Sequence, residues 1–293
     1  MRTRLAQLRA RATSLVVASV ALAIVLGAPV MAASSGSVAP AFVDALDAIG
    51  RTLTPGPEMT ASSRSKVFRR TGIDVSHWQG RIAWPRVAAS GIDFAIIKAT
   101  EGTNVVDQWY QRNRTRARKV GIMVTAYHFA HPGLKGTGSR ESRVIRDARR
   151  EARFFVANAD LRRDDLIPAL DLERSGSLRP TELRLWTLTF LRTVRGAIGA
   201  RPMVYSTSSF WRTHLSDTAK IARAGFDVFW VAHWDTNRPS VPGRKWFGQG
   251  WTFWQWTDCG RIRGIYNCVD RNTYVGSKAL KSLQIRKRQV RRG

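Results

Sequence analysis

Cysteine is nearly absent from this chain: Cys259 and Cys268 are the only two in 293 residues. That excludes a small disulfide-dense scaffold. With no C-x-x-C spacing and no histidine near either residue in the sequence, a redox or structural metal role has little to stand on. Acidic residues are also scarce, 21 Asp and Glu against 48 Lys and Arg, for a formal net charge of +27. No internal repeat is present, so the solenoid and array architectures drop out.

What is present begins with the N-terminus. Arg2, Arg4, Arg9 and Arg11 precede an apolar run over residues 14–33, and Val30-Met31-Ala32 offers a small-residue cleavage site. Residues 1–33 are therefore expected to be a secretory signal peptide, the alternative being an uncleaved anchor. A protein exported in this way meets oxidising conditions, and Cys259 and Cys268 are expected to form one local disulfide. The charge stays strongly positive after removal of the signal arginines. It points to anionic wall polymers or an anionic membrane surface before nucleic acid, which a secreted protein seldom meets.

Residues 34–70 are rich in Ser, Ala, Pro, Thr and Gly and read as a linker, with a short helix at 41–49. Residues 277–293 read as a basic tail, solvated or wall-binding. Between them, strand-like runs are expected at 73–76, 94–99, 123–129, 167–172, 203–206, 228–232, 253–257 and 268–270. An amphipathic helix at 140–159 sets Val144, Ala148, Ala152, Phe155 and Val156 against an arginine-rich outer side, and a second begins at Pro180. Near-uniformly apolar strands separated by helices predict a parallel sheet covered on both faces. Eight of them in this length predict an α/β fold, an irregular (β/α) TIM-like barrel with fewer helices in its last third.

Acids at strand ends of such a barrel are where chemistry belongs. Asp74 lies in "GIDVSHWQG", Asp171 and Glu173 close "LIPALDLE", and Asp270 lies in "CVDRNTY"; Glu101, in "IIKATEGT", is a fifth candidate. Clustered carboxyl groups in an apolar surround raise one another's pKa, so one stays protonated beside an ionised neighbour. Glycosidic bond cleavage uses that pairing. Tyr127, Tyr205, Trp230 and Trp254, with Trp234 and Trp256, supply aromatic faces suited to sugar.

"GIDVSHWQG", "FAIIKATEGT", "AYHFAHP", "IPALDLE", "VYSTSSFW", "VFWVAHW" and "FWQWTDCGRIRGIYNCVDRN" resemble, in this order, the strand motifs of glycoside hydrolase family 25, the secreted N-acetylmuramidase lysozymes. The resemblance spans residues 71–276. It implies hydrolysis of the β-1,4 bond between N-acetylmuramic acid and N-acetylglucosamine in peptidoglycan. Glu173 then matches the proton donor, and Asp171 a nucleophile or a carboxylate that orients the substrate's acetamido group. Asp74 and Asp270 match the other acids of the pocket, and Tyr127 and Tyr205 the aromatics near the reacting sugar. Trp230, Glu101 and Trp254 are further candidates for substrate binding. No metal or organic cofactor is implied.

The expected partners are peptidoglycan glycan strands and anionic wall polymers, met by a secreted or wall-associated monomer that touches membrane only if the signal segment is retained. Two alternatives remain, a non-hydrolytic wall-glycan-binding module and a chitinase-like glycosidase. Arg271, directly after Asp270, departs from the family pattern, as do the tryptophans in "VAHW" and "FWQW". Turned inward, Arg271 would lower the pKa of Asp270.

Overall fold

The computed structural model describes residues 66–286; the expected signal segment, most of the expected linker with its short helix at 41–49, and the last residues of the expected tail lie outside that range. Eight strands close a barrel: β1 (Phe68–Val75), β2 (Phe94–Glu101), β4 (Met123–Phe129), β5 (Ala169–Asp171), β6 (Met203–Thr207), β7 (Phe229–Ala232), β8 (Phe253–Gly260) and β9 (Val269–Gly276). A two-residue strand, β3 (Val105–Val106), folds back on β2 as a hairpin. From β1 through β8 the barrel neighbours run parallel, with β1 and β2 pairing at the seam.

β9 runs antiparallel to both β8 and β1. The parallel expectation fails there for a reason of length. Only the loop 261–268 separates β8 from β9, too short for the crossover a parallel return needs. The last strand is also longer than the expected 268–270, because Gly276 pairs back to Phe68 and draws β1 forward into the segment read as linker.

Helices α1 (Trp84–Ala88), α2 (Tyr110–Lys119), α3 (Arg140–Ala159), α4 (Pro180–Ile198), α5 (Ser208–Leu215) and α6 (Lys220–Arg223) cover the outside, mostly over the first two thirds of the chain. Residues 243–246 form a left-handed turn, a costly backbone shape for side-chain-bearing residues. It is anchored by Trp246, which is fully buried and stacked on Phe229 at 4.1 Å.

Alternation along each strand creates two cores. Outward residues such as Ile97, Leu170, Val204 and Val231 pack under Phe155, Trp186, Phe190 and Trp211 of the helices. Inward residues fill the lumen, where Phe94, Phe253, Tyr274 and Leu280 plug the end at which the parallel strands begin. Each such side chain fully buried contributes about 1.5–3 kcal/mol. The fit is tight enough to dictate a glycine: a Cβ at Gly72 would overlap the Phe94 ring.

The start of the expected tail belongs to this plug. Ile167 N–H donates to Leu283 O, Ile285 N–H to Asp165 O, and Leu280 is buried. Residues 278–285 therefore brace the bottom of the barrel instead of forming a solvated basic arm. Apolar Leu280 and Ile285 among the lysines are what dock it.

Candidate active site

The open end of the barrel receives the strand C-termini, and four carboxyl groups meet there. Asp171 ends β5, and Glu173 follows two residues later on the same side, as the period of a strand requires. Asp74 of β1 lies directly opposite Asp270 of β9 in the ladder. Asp171 and Glu173 perturb one another's titration, and so do Asp74 and Asp270, so the four acids titrate as two interacting pairs.

Burial is the leading cause of every shift at this site. It pushes Asp171 well above the usual carboxyl range, and the charges of Glu173 and Asp74 add to it. Glu173 is raised by burial as well, with its contact to Asp171 pulling the other way. Asp270 is pushed up to about 10 by burial and then by Asp74. Asp74 is raised by burial but drawn back by hydrogen bonds from Asn272, Gln255 and Asp270. Burial also keeps the phenols of Tyr127 and Tyr205 neutral by raising them well above their ordinary value.

A hydrogen-bonded scaffold holds Asp74 in place. Gln255 Nε2 donates to Asp74 Oδ2 at 3.0 Å and Asn272 Nδ2 to the same oxygen at 2.7 Å. Behind them, Tyr205 Oη and Trp234 Nε1 donate to Gln255 Oε1 at 3.0 and 3.1 Å, and Trp230 Nε1 donates to Asn272 Oδ1 at 2.7 Å. Each amide is thereby locked in one orientation. Tyr205 rests on Trp230 with ring centroids 4.4 Å apart, and half-buried Tyr127 stands edge-on to Trp230 at 6.4 Å.

The β4 and β5 side of the mouth is built from charge. Lys98 Nζ binds Glu101 Oε2 at 2.6 Å, and His131 Nε2 lies 2.8 Å from Glu101 Oε1 and 2.9 Å from Arg174 Nη1. Lys98 and Arg174 both stand over the Phe129 ring, 4.9 Å from its centroid. Buried acids of α3 fix the loop beneath: Glu151 Oε2 accepts from His131 N–H, and Asp147 Oδ2 from Gly133 N–H and Trp186 Nε1. The loop after Glu173 packs so closely on this one that a Cβ at Gly176 would overlap the Pro132 carbonyl.

A mouth with two interacting pairs of buried carboxyl groups and neutral phenols suits acid-assisted cleavage of a glycosidic bond. The sequence comparisons agree with the geometry. Residues 73–265 match the model of the glycosyl hydrolases family 25. This chain belongs to that family. It is a glycoside hydrolase. Lysozyme M1 of Streptomyces globisporus is 35% identical over 241 residues, 79% of this chain and 76% of that one. The N,O-diacetylmuramidase of Chalaropsis sp is 27% identical over 215 residues, covering 68% of this chain and 93% of its own. The crystal structure of the bacterial lysozyme from Streptomyces coelicolor superposes with a TM-score of 0.65 at 36% identity, covering 73% of this chain and 96% of that one.

Within this family 25 hydrolase the sequence-derived candidates separate. Asp74, Asp171, Glu173, Asp270, Tyr127 and Tyr205 converge on the mouth. Trp230 reaches the same pocket but is 2% exposed, so it supports Tyr205 and Asn272 and offers no open face to a sugar. Glu101 is engaged by Lys98 and His131; burial pushes its carboxyl up, but the Lys98 bond and charge prevail and hold it below the usual range. Trp254 does not reach the pocket at all. Phe253 and Gln255 point inward, so Trp254 faces the outer layer, where its Nε1 donates to His233 O at 2.8 Å.

Arg271 turns outward by the same alternation and lies over Trp256, so Asp270 is raised and not lowered. His77 binds Asp107 through its backbone N–H and Nδ1 and rests on Trp78; it does not partner Asp74. His128 is buried between Thr100 and Glu151, its pKa lowered by burial. Cys259 and Cys268 are joined, as expected. Gln255, Asn272 and the partners that engage Glu101, namely Lys98, His131 and, through His131, Arg174, escaped sequence reasoning. The available signal was parity: Gln255 is two residues from inward Phe253, and Asn272 two from Asp270.

Proposed function

We propose that this enzyme hydrolyses the β-1,4 bond between N-acetylmuramic acid and N-acetylglucosamine in peptidoglycan, with Glu173 as general acid and Asp171 orienting the substrate's acetamido group. The observation that carries the second role is Asp171 Oδ1, a buried carboxyl oxygen with no hydrogen-bond partner among the described residues and so open to accept the acetamido N–H.

In this reading Asp171 Oδ1 accepts the acetamido N–H, and the transferable proton resides on Glu173, the more exposed partner. The acetamido carbonyl oxygen attacks the anomeric carbon as the bond to the leaving oxygen breaks and Glu173 protonates that oxygen. Water then attacks the same carbon, returning a proton to Glu173 and restoring the acetamido group. Configuration is retained. Asp74, held by Gln255 and Asn272, faces the positive charge that develops at the sugar ring. The names of the relatives, lysozyme and muramidase, support the substrate class, and the apolar run at 14–33 supports a secreted or wall-associated enzyme. The positive charge suits walls that also carry anionic polymers.

The test uses native and chemically N-deacetylated peptidoglycan, with the product anomer followed by proton NMR. Rapid cleavage of native wall to the β-anomer, with loss on deacetylated wall, is expected. Equal rates on the two walls, or the α-anomer first, would remove the acetamido role.

A further inference from the structure

Exposed apolar side chains are informative when they collect in one place. Among the described residues seven large hydrophobic side chains are exposed, and five of them, Trp78, Val105, Val106, Trp234 and Tyr266, sit in loops or the hairpin at the barrel mouth. Trp234 belongs to the site already described, through Gln255. Trp78 and Tyr266 do not. They are 72% and 92% exposed, and they lie on the β1 and β9 side of the mouth, across from Glu173.

The backbone carrying Trp78 is tied down on every side. Ser76 caps the turn, accepting from Trp78 N–H, while its own N–H donates to Gln79 Oε1 at 2.9 Å. His77 binds Asp107 twice and lies against the indole at 4.7 Å. Gln79 Nε2 donates to Cys268 O at 3.0 Å, and Asn267 Nδ2 to Trp78 O at 2.9 Å. The last two bonds join this turn to the loop that carries Tyr266, which the Cys259–Cys268 disulfide closes at its base. So many polar anchors around two aromatic side chains that bury little of themselves are what a preorganised contact surface requires.

We propose that Trp78 and Tyr266 form an aromatic subsite on the rim that binds pyranose rings of the glycan strand beyond the carboxyl cluster. The proposal rests on the glycan-hydrolase reading and extends its cleft. A pyranose presents a face of C–H bonds that buries apolar area and gains dispersion against an indole or phenol ring. A linear glycan anchored at Asp74 and Asp270 emerges beside this rim, because β1 and β9 deliver both acids and both loops. An extended strand then meets the rim, and a short fragment held only at the carboxyl cluster does not.

The test compares Trp78→Ala, Tyr266→Ala and Trp78→Phe with the parent on polymeric peptidoglycan and on the shortest glycan fragment the parent cleaves. The alanine variants are expected to raise KM for the polymer about tenfold, a factor corresponding to about 1.4 kcal/mol. Unchanged kcat, unchanged KM for the fragment and largely restored affinity in Trp78→Phe complete the expected pattern. A parallel titration with an N-acetylglucosamine oligomer, read by tryptophan fluorescence, should saturate in the parent and lose that signal in Trp78→Ala. Polymer KM and titration both unchanged in Trp78→Ala, or equal loss of kcat on both substrates, would overturn the subsite. If the parent cleaves neither substrate, the hydrolase reading fails, and the titration alone then decides the subsite.

Discussion

Replacing Asp270 by Asn isolates the electrostatic cost of the carboxyl cluster. The side chain lies opposite Asp74 in the β1–β9 ladder, and its pKa is pushed up to about 10 from 3.8, first by burial and then by Asp74. A carboxyl raised in the folded state contributes stability that is complete below its unfolded pKa and is lost as pH rises toward the folded one. At about 1.4 kcal/mol per pH unit above 3.8, the loss by pH 7 has a ceiling of about 4 kcal/mol. Coupled titration with Asp74 lowers that, and about 2 kcal/mol is the expected size.

Asn has no proton to lose and keeps a donor for Asp74. Asp270→Asn should therefore match the parent near pH 3.5 and exceed it at pH 7–8. For a domain of this size that is roughly 4–8 °C in Tm. Thermal melts of both proteins from pH 3.5 to 9 measure the gap directly. A gap independent of pH, or a variant less stable than the parent at pH 7, would refute the reasoning, because Asp270 would then be ionised in the folded protein.

Glu173→Gln and Asp171→Asn should each lower kcat on peptidoglycan by about 10²–10⁴ with little change in KM, measured as release of reducing ends, since each removes a group used mainly in the transition state. Gly72→Ala should cost about 1–3 kcal/mol in urea unfolding, because the Phe94 ring that plugs the lumen occupies the space of the new methyl group. Trp254→Phe should lower Tm through the lost bond to His233 O while leaving KM unchanged, as expected of a side chain on the outer layer. A rise in KM would return Trp254 to the pocket.

The strands and the carboxyl cluster were legible because apolar runs ending in acids are rare in a chain so poor in acid. "LIPALDLE" announces both an inner strand and its payload. The supporting residues were harder to see. Gln255 and Asn272 look like ordinary polar residues until register turns them inward, and that depends on pairings between β8 and β9 that contain shifts.

Trp254, in "FWQW", and Trp234, in "VAHW", share their chemistry but not their direction: Trp234 bonds Gln255 at the site, and Trp254 bonds His233 O in the outer layer. Asp147 and Glu151 lie on the buried side of α3 because they bind loop N–H groups, a partner no helical period reveals. The docking of residues 278–285 rests on a few apolar side chains among lysines, a pattern that composition reads as tail. Arg271 was the converse case: alternation from Asp270 alone turns it outward.

The central claim is that the carboxyl pair at the end of β5 cleaves the glycan at muramic acid. Digestion of purified peptidoglycan with the parent and with Glu173→Gln, followed by borohydride reduction and sugar analysis, tests it most directly. The account predicts muramitol from the parent and almost none from the variant. Glucosaminitol in its place, or equal muramitol from both proteins, would contradict it.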